Sequence, residues 1–146
     1  MASRKPLVMN AGVIEQLQAG DNLDATTTGV DVFQAEAVAA LAIGDVVYVS
    51  GALTVSKAQA NAIGTARPIG LAGAVIEASA TGPIQTDGVL TGLTGLTAGS
   101  TYYLSDATAG AFTTTAPSEA GKFVVKIGTA LSTTEMEISF GMTIKL

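Results

Sequence analysis

Apolar and polar residues alternate in short runs along most of this chain, and the runs come twice. Gly44, Tyr48 and Ser50 recur as Gly99, Tyr103 and Ser105 at a constant spacing of 55 residues. Gly51-Ala52-Leu53-Thr54 recurs as Gly110-Ala111-Phe112-Thr113 at 59, and Ile69-Gly70 as Ile127-Gly128 at 58. The drift falls in Gly-, Ser- and Ala-rich joints, where loops absorb length changes that strands do not. Period-two alternation predicts strands, and its repetition predicts a duplicated β-meander with units over about 43–90 and 98–146. Each unit is expected to hold a first strand (Val46–Ser50 in the first), a tight bend and a second strand (Leu53–Lys57; Phe112–Thr115). A polar loop, a longer strand centred on the Ile-Gly pair and a closing strand (about Pro83–Leu90; Glu135–Leu146) complete it.

Upstream of the first unit, Val30, Val32, Gln34 and Glu36 alternate with Asp31, Phe33, Ala35 and Ala37, while the Ala-rich tail Glu36–Ala42 suits either a strand or a helical turn. Residues 1–29 read differently. Arg4 and Lys5 stand at the start, Leu7, Val8, Val13 and Ile14 form two apolar pieces, and Gln18–Asn22 and Ala25–Gly29 supply turn and linker residues. This segment is expected to be an extended N-terminal arm carrying one or two short strands, with an edge hairpin of the main domain as the alternative. Residues 30–146 then form a single β domain. The joint Thr91–Gly99 reads as a flexible connection, or as an edge kept small for packing against a neighbouring subunit.

Composition narrows the architecture. At 146 residues there is room for one core, but aromatics are 5%, Trp and Cys are absent, and the 48% hydrophobic content is mostly Ala, Val, Leu and Ile. Small aliphatic and β-branched side chains filling many short strands predict an all-β fold, a β-sandwich or small barrel. Charged residues are 13% against about 25% in an ordinary soluble domain, and the mean hydropathy is +0.47. Much of the surface is therefore expected to be covered by a protein partner or by identical subunits. A membrane is the other candidate cover, but Ala35–Val55 contains Asp45 beside Gly44 and then alternates, which reads as turn and strand rather than as a spanning helix.

The same inventory limits chemistry. Without His or Cys there are no nucleophile–imidazole pairs, thiolate metal sites or disulfides. A net charge of −5 and a stretch free of Lys and Arg between Lys5 and Lys57 argue against nucleic-acid binding. Glu135 and Glu137 lie two apart and are expected to form a solvated strand face rather than a glycosidase pair. Asp21-Asn22-Leu23-Asp24 offers oxygen ligands without the ordered run and closing Glu of a calcium loop, so turn capping is expected and no metal site is assigned. Gly70-Leu71-Ala72-Gly73 precedes a Val-Ile pair, with no Lys-Ser or Lys-Thr after it, and is not a phosphate loop. Tyr48 and Tyr103, at matching places in a duplicated strand, are expected to pack as paired core or edge residues rather than to stack on sugars. No catalytic residue, cofactor or metal is expected. The MASRKPLVMNAG start forms no signal-peptide apolar region, which is the pattern of a protein made in the cytoplasm.

The opening RKPLVMNAGVIEQLQAGD, the phrase GLTAGSTYYLSD and the ending GAFTTTAPSEAGKFVVKIGTALSTTEMEISF resemble small virion proteins of tailed bacteriophages. The repeated unit, G-D-x-V-Y followed by a bend and x-I-G-x-A, is similar to capsid decoration (cement) proteins and to β-modules of head and tail fibres. The resemblance covers most of the chain. It implies a non-enzymatic structural protein made in the bacterial host cytoplasm, located on the virion capsid surface, frequently trimeric, and bound to the major capsid protein after expansion. A tail or head-fibre module, with a role in host-receptor binding, is the alternative. On either reading the arm residues Arg4, Lys5, Leu7, Val8, Val13 and Ile14 are the candidate partner-binding positions, because strand-like pieces with little to bury against in their own chain can add to an exposed edge.

Overall fold

A computed structural model describes Leu7–Asn10, Val13–Gln16 and residues 30–146. The chain is all-β among the described residues. Strands β1 (Leu7–Asn10) and β2 (Val13–Gln16) pair antiparallel with each other, Met9 opposite Ile14. Five strands then build a closed barrel: β3 (Val32–Ala37), β4 (Val46–Gly51), β5 (Thr54–Lys57), β6 (Gly70–Ala72) and β7 (Thr81–Gln85), in the order β3-β5-β4-β6-β7. Closure depends on β3. It pairs antiparallel with β7 from Val32↔Gln85 to Glu36↔Thr81, then parallel with β5 through Glu36↔Thr54 and Ala37↔Val55. The Ala-rich tail thus ends a strand and is not a helical turn. Ala35 and Ala37 point inward with Val47, Val55, Ala72 and Ile84, capped by Leu41 and Ile76. Small side chains at these inward positions suit the narrow interior of a five-stranded barrel.

The second half contributes β8 (Gly88–Leu90), β9 (Thr101–Leu104), β10 (Phe112–Thr113), β11 (Phe123–Val124), β12 (Lys126–Ala130), β13 (Met136–Ile138) and β14 (Ile144–Lys145). Five of these form an open sheet, β10-β9-β12-β13-β8, while β11 and β14 pair with each other. This sheet repeats the barrel strand for strand. Val46↔Leu71 and Val47↔Gly70 correspond to Thr101↔Thr129 and Tyr102↔Gly128. Likewise Leu71↔Gln85 and Ala72↔Ile84 correspond to Thr129↔Glu137 and Ala130↔Met136. Even the turns agree. Gly44 (φ +85) donates its amide to the Ala72 carbonyl at 2.8 Å, and Gly99 (φ +81) donates to Ala130 at 2.8 Å.

The duplication is confirmed, with its boundary moved. The expected run Pro83–Leu90 is two strands: Thr81–Gln85 completes the barrel and Gly88–Leu90 opens the second sheet, separated by a turn at Asp87-Gly88 where Gly88 has φ +83. The β5/β10 match also shifts. The pairings Val49↔Val55 and Leu104↔Phe112 make Val55 equivalent to Phe112, so Gly110 corresponds to Leu53 and not to Gly51. The sheet stays open because its counterpart of β3 breaks at Gly92 (φ +84), short of β10. The tract Thr91–Gly99 is therefore no loose connection, since Leu93 and Leu96 are buried in the main core.

That core lies between the outer face of the barrel and the inner face of the sheet. Val46 and Leu71 from the barrel meet Leu90, Tyr102, Leu104, Ile127, Ala130, Met136 and Ile138 from the sheet. Adjacent Val46 and Val47 point to opposite sides of one strand and are both fully buried, one between the units and one inside the barrel.

Candidate interaction surfaces

Of the arm positions, Arg4 and Lys5 lie outside the described residues, as does the Asp21–Asp24 run. Leu7 and Val8 fall on β1, Val13 and Ile14 on β2, so the structure brings four of the six candidates into one hairpin. This hairpin forms a two-stranded sheet of its own, separate from the barrel and the open sheet. An isolated two-stranded hairpin is only marginally stable in water, and a third strand or a packed face is what stabilises it. Its outer edges suit that role.

The residues weighed for chemistry are dispersed. Glu137 is exposed on β13, opposite Thr129 and Val89, while Glu135 lies before the strand. Tyr48 and Tyr103 occupy equivalent register positions and are both half-buried. Tyr102 is buried: its ring meets Phe112 edge-on at 5.4 Å, and its hydroxyl accepts the Thr97 amide at 3.0 Å. Gly70 stands in β6, where an added Cβ would lie 2.6 Å from the Gln85 carbonyl oxygen, so it is needed for close strand approach. Among the described residues no three His, Cys, Asp or Glu side chains group to hold a metal. Asp45 pairs with Lys57 at 3.2 Å and caps the Ala42 amide at 3.0 Å.

Among the clefts of the described residues are two shallow ones of about 300 Å³ each. One runs between Ser105–Ala107 and Thr113–Glu119. Its buried hydroxyl, on Ser105, accepts the amides of Ala107 and Thr108 and so serves the loop's own geometry. The other lies between Gln34–Glu36, Ala52–Thr54 and Thr81, at the end of the barrel where β4 turns into β5.

That end of the barrel is apolar. Val49 faces Val55 across the hairpin, Val38 donates its amide to the Val55 carbonyl at 3.1 Å, and the Leu53 carbonyl accepts the Glu36 amide at 2.9 Å. Around buried Val55 stand three side chains left largely in water: Val38 is 57% exposed, Val49 54% and Leu53 74%. Leu53 also has φ +53, a left-handed conformation that leucine adopts at a steric cost. Sequence reasoning did not single these residues out. The available signal was the two-residue connection Ala52-Leu53 between paired Gly51 and Thr54, which demands a positive φ where no glycine is present.

No protein-family model matches the chain, and no curated protein matches it. Among the described residues no helix is long and apolar enough to cross a membrane.

Proposed function

We propose that this is a structural protein of a tailed-phage particle, a decoration protein that attaches to the outside of the assembled head through the major capsid protein and stiffens it, acting as a homo-oligomer, a trimer. The reading rests on the resemblance of the repeated unit to such modules. The observation that carries it is an all-β body of low charge that leaves large apolar side chains in water, among them Val38, Leu53, Val75 and Met142. Exposed apolar side chains that gather at one place, as Val38, Val49 and Leu53 do around Val55, mark surfaces that contact other proteins. The separate hairpin β1–β2 supports it as well, because main-chain edges and apolar residues attach a chain to an exposed strand without any pocket.

The test is sedimentation of purified protein with expanded heads that lack it, together with antibody labelling of intact virions. Cosedimentation and label over the head surface are expected, with treated heads resisting heat better than bare ones. Label confined to the tail or to fibres would overturn the decoration role and assign the chain to the fibre-module alternative.

A further inference from the structure

We propose that Asp87 is a site of spontaneous covalent modification, where the turn between the barrel and the open sheet closes to a succinimide and reopens in part as an isoaspartyl link. The proposal concerns the body of the protein and is independent of capsid attachment and of self-association.

Three observations lead to it. The first is proximity. Ring closure requires the amide nitrogen of the following residue to reach the aspartate carboxyl carbon, and a Cβ on that residue crowds the approach. Asp87-Gly88 is the one Asp-Gly pair in the sequence, which has no Asn-Gly pair, and every other Asp is followed by a residue bearing a side chain. The Asp87 side chain is also folded back over its own peptide. The Gly88 amide donates to Asp87 Oδ1 at 2.8 Å, so nucleophile and carboxyl group already touch. Gly88 has φ +83, a backbone that glycine holds without steric cost, so this arrangement is the resting state of the turn.

The second is activation. As the Gly88 nitrogen loses its proton and becomes a nucleophile, negative charge spreads to the Asp87 carbonyl oxygen of the same peptide. That oxygen accepts a hydrogen bond from Gln85 Nε2 at 3.0 Å. Gln85 is only 7% exposed and is fixed in β7 between Val32 and Leu71. A donor held in place where charge develops assists the step without reorganising.

The third is access. Asp87 is exposed, so protons and water reach its carboxyl group. In the protonated carboxyl, the Gly88 nitrogen bonds to the carboxyl carbon, and the carboxyl hydroxyl leaves with the amide proton as one water. Water then adds to either carbonyl of the ring. Addition at the former side-chain carbon restores aspartate, while addition at the main-chain carbon breaks its bond to Gly88 nitrogen and leaves the chain running through the side chain. The isoaspartyl link adds one carbon to the main chain just before β8, whose register is Gly88↔Ile138 and Val89↔Glu137. It also replaces the carbonyl that Gln85 holds with a free carboxylate, so the modified turn is expected to loosen β8 on β13.

The experiment is warm incubation of the full-length protein at mildly acidic pH, followed by intact mass, peptide mapping and enzymatic methylation of isoaspartyl groups. A species lighter by one water is expected first, then isoaspartate mapped to Asp87, with modified molecules melting below unmodified ones. Asp87→Glu keeps the charge but disfavours the five-membered ring, and is expected to abolish both products. Gln85→Met removes the donor at similar volume and is expected to slow closure about fivefold, the worth of one neutral hydrogen bond. The folded protein is expected to convert at least as fast as the same chain unfolded in urea, because the fold holds the reacting groups together. Isoaspartate absent from Asp87, or formed there about tenfold faster in urea than in the folded state, would overturn the proposal. Closure that proceeds at the wild-type rate in Gln85→Met would overturn the activating role of Gln85.

Discussion

The Gly110 carbonyl accepts the Val46 amide at 2.9 Å, as the Leu53 carbonyl accepts the Glu36 amide at 2.9 Å. Since Gly110 and Leu53 are equivalent in the two units, Val46 takes beside β10 the place that Glu36 takes beside β5. The second unit therefore does not close on its own strand; the entrance of β4 covers that side instead. The Gly110 amide in turn donates to the Ala58 carbonyl at 2.7 Å, and Ala58 donates to Val46 at 2.8 Å, so one glycine is wedged into the β4–β5 pair. Duplication gave two similar sheets, and this wedge, above the Val46–Leu104 core, joins them into one body.

The wedge is testable at Gly110. Its φ is +79, and an added Cβ would stand 3.0 Å from Lys57 Cδ and 3.3 Å from Asp45 Oδ1. Gly121 has φ +86 with nothing within 4 Å of the same Cβ, so it isolates the backbone cost. We expect each Gly→Ala change to cost about 1–2 kcal/mol from the left-handed conformation, with a further loss at Gly110 as the wedge loosens. Denaturant unfolding that gives equal losses at both positions would show that the wedge contributes nothing to stability.

Close strand approach predicts a second contrast. A Cβ on Gly128 would overlap the Glu137 carbonyl oxygen, and one on equivalent Gly70 would lie 2.6 Å from the Gln85 carbonyl oxygen and 2.7 Å from Ile84 Cγ2. Backbone cannot move aside as a side-chain tip can. Gly128→Ala and Gly70→Ala are expected to lose about 3 kcal/mol or more, while Gly64→Ala, with nothing within 4 Å, stays within about 0.5 kcal/mol. Thermal melts of the three variants decide it.

These glycines also show what the sequence made legible. Gly44 with Gly99 and Gly70 with Gly128 keep their spacing because each pair meets one steric demand twice, a positive φ in the first and a crowded strand crossing in the second. Tyr48 and Tyr103 likewise keep their register. The unit boundary was not legible, since Pro83–Leu90 reads as one strand until Asp87-Gly88 is seen to turn it. The 59-residue match of Gly51 to Gly110 misled because the longer Ser105–Ala111 loop gives Gly110 its own task at the unit contact. Thr91–Gly99 has the composition of a linker, yet Gly92 is required there by its left-handed backbone, φ +84, and the leucines between the glycines are core. Leu53 escaped notice because period-two alternation marks strand positions and not a turn residue whose carbonyl joins β3 to β5.

Neighbouring tyrosines on β9 are expected to respond differently. The Tyr102 hydroxyl accepts the Thr97 amide, so Tyr102→Phe leaves a part-buried donor unpaired and costs about 1–2 kcal/mol. Tyr103 is half-buried on the opposite face of the strand, and Tyr103→Phe is expected to change stability by less than about 0.5 kcal/mol. Equal destabilisation, measured by urea unfolding, would contradict the assignment of Thr97 to Tyr102.

The arm supplies the last contrast. Removing residues 1–24 deletes the β1–β2 hairpin and leaves every strand of the barrel and of the open sheet in place. The truncated protein is expected to keep its β-type circular dichroism and its melting temperature, because the two cores are built from residues of the body. On the proposed function, it is also expected to lose most of its binding to expanded heads, since the hairpin offers edges and apolar residues for strand addition. Charge reversal of Arg4 and Lys5 in the full-length chain separates the two contributions of the arm. Such a change weakens a contact steered by the basic pair in a salt-dependent way and leaves strand addition intact. Unchanged head binding by the truncated protein would move the attachment from the arm to the body. A collapse of the fold on truncation would instead make the hairpin part of the body's core.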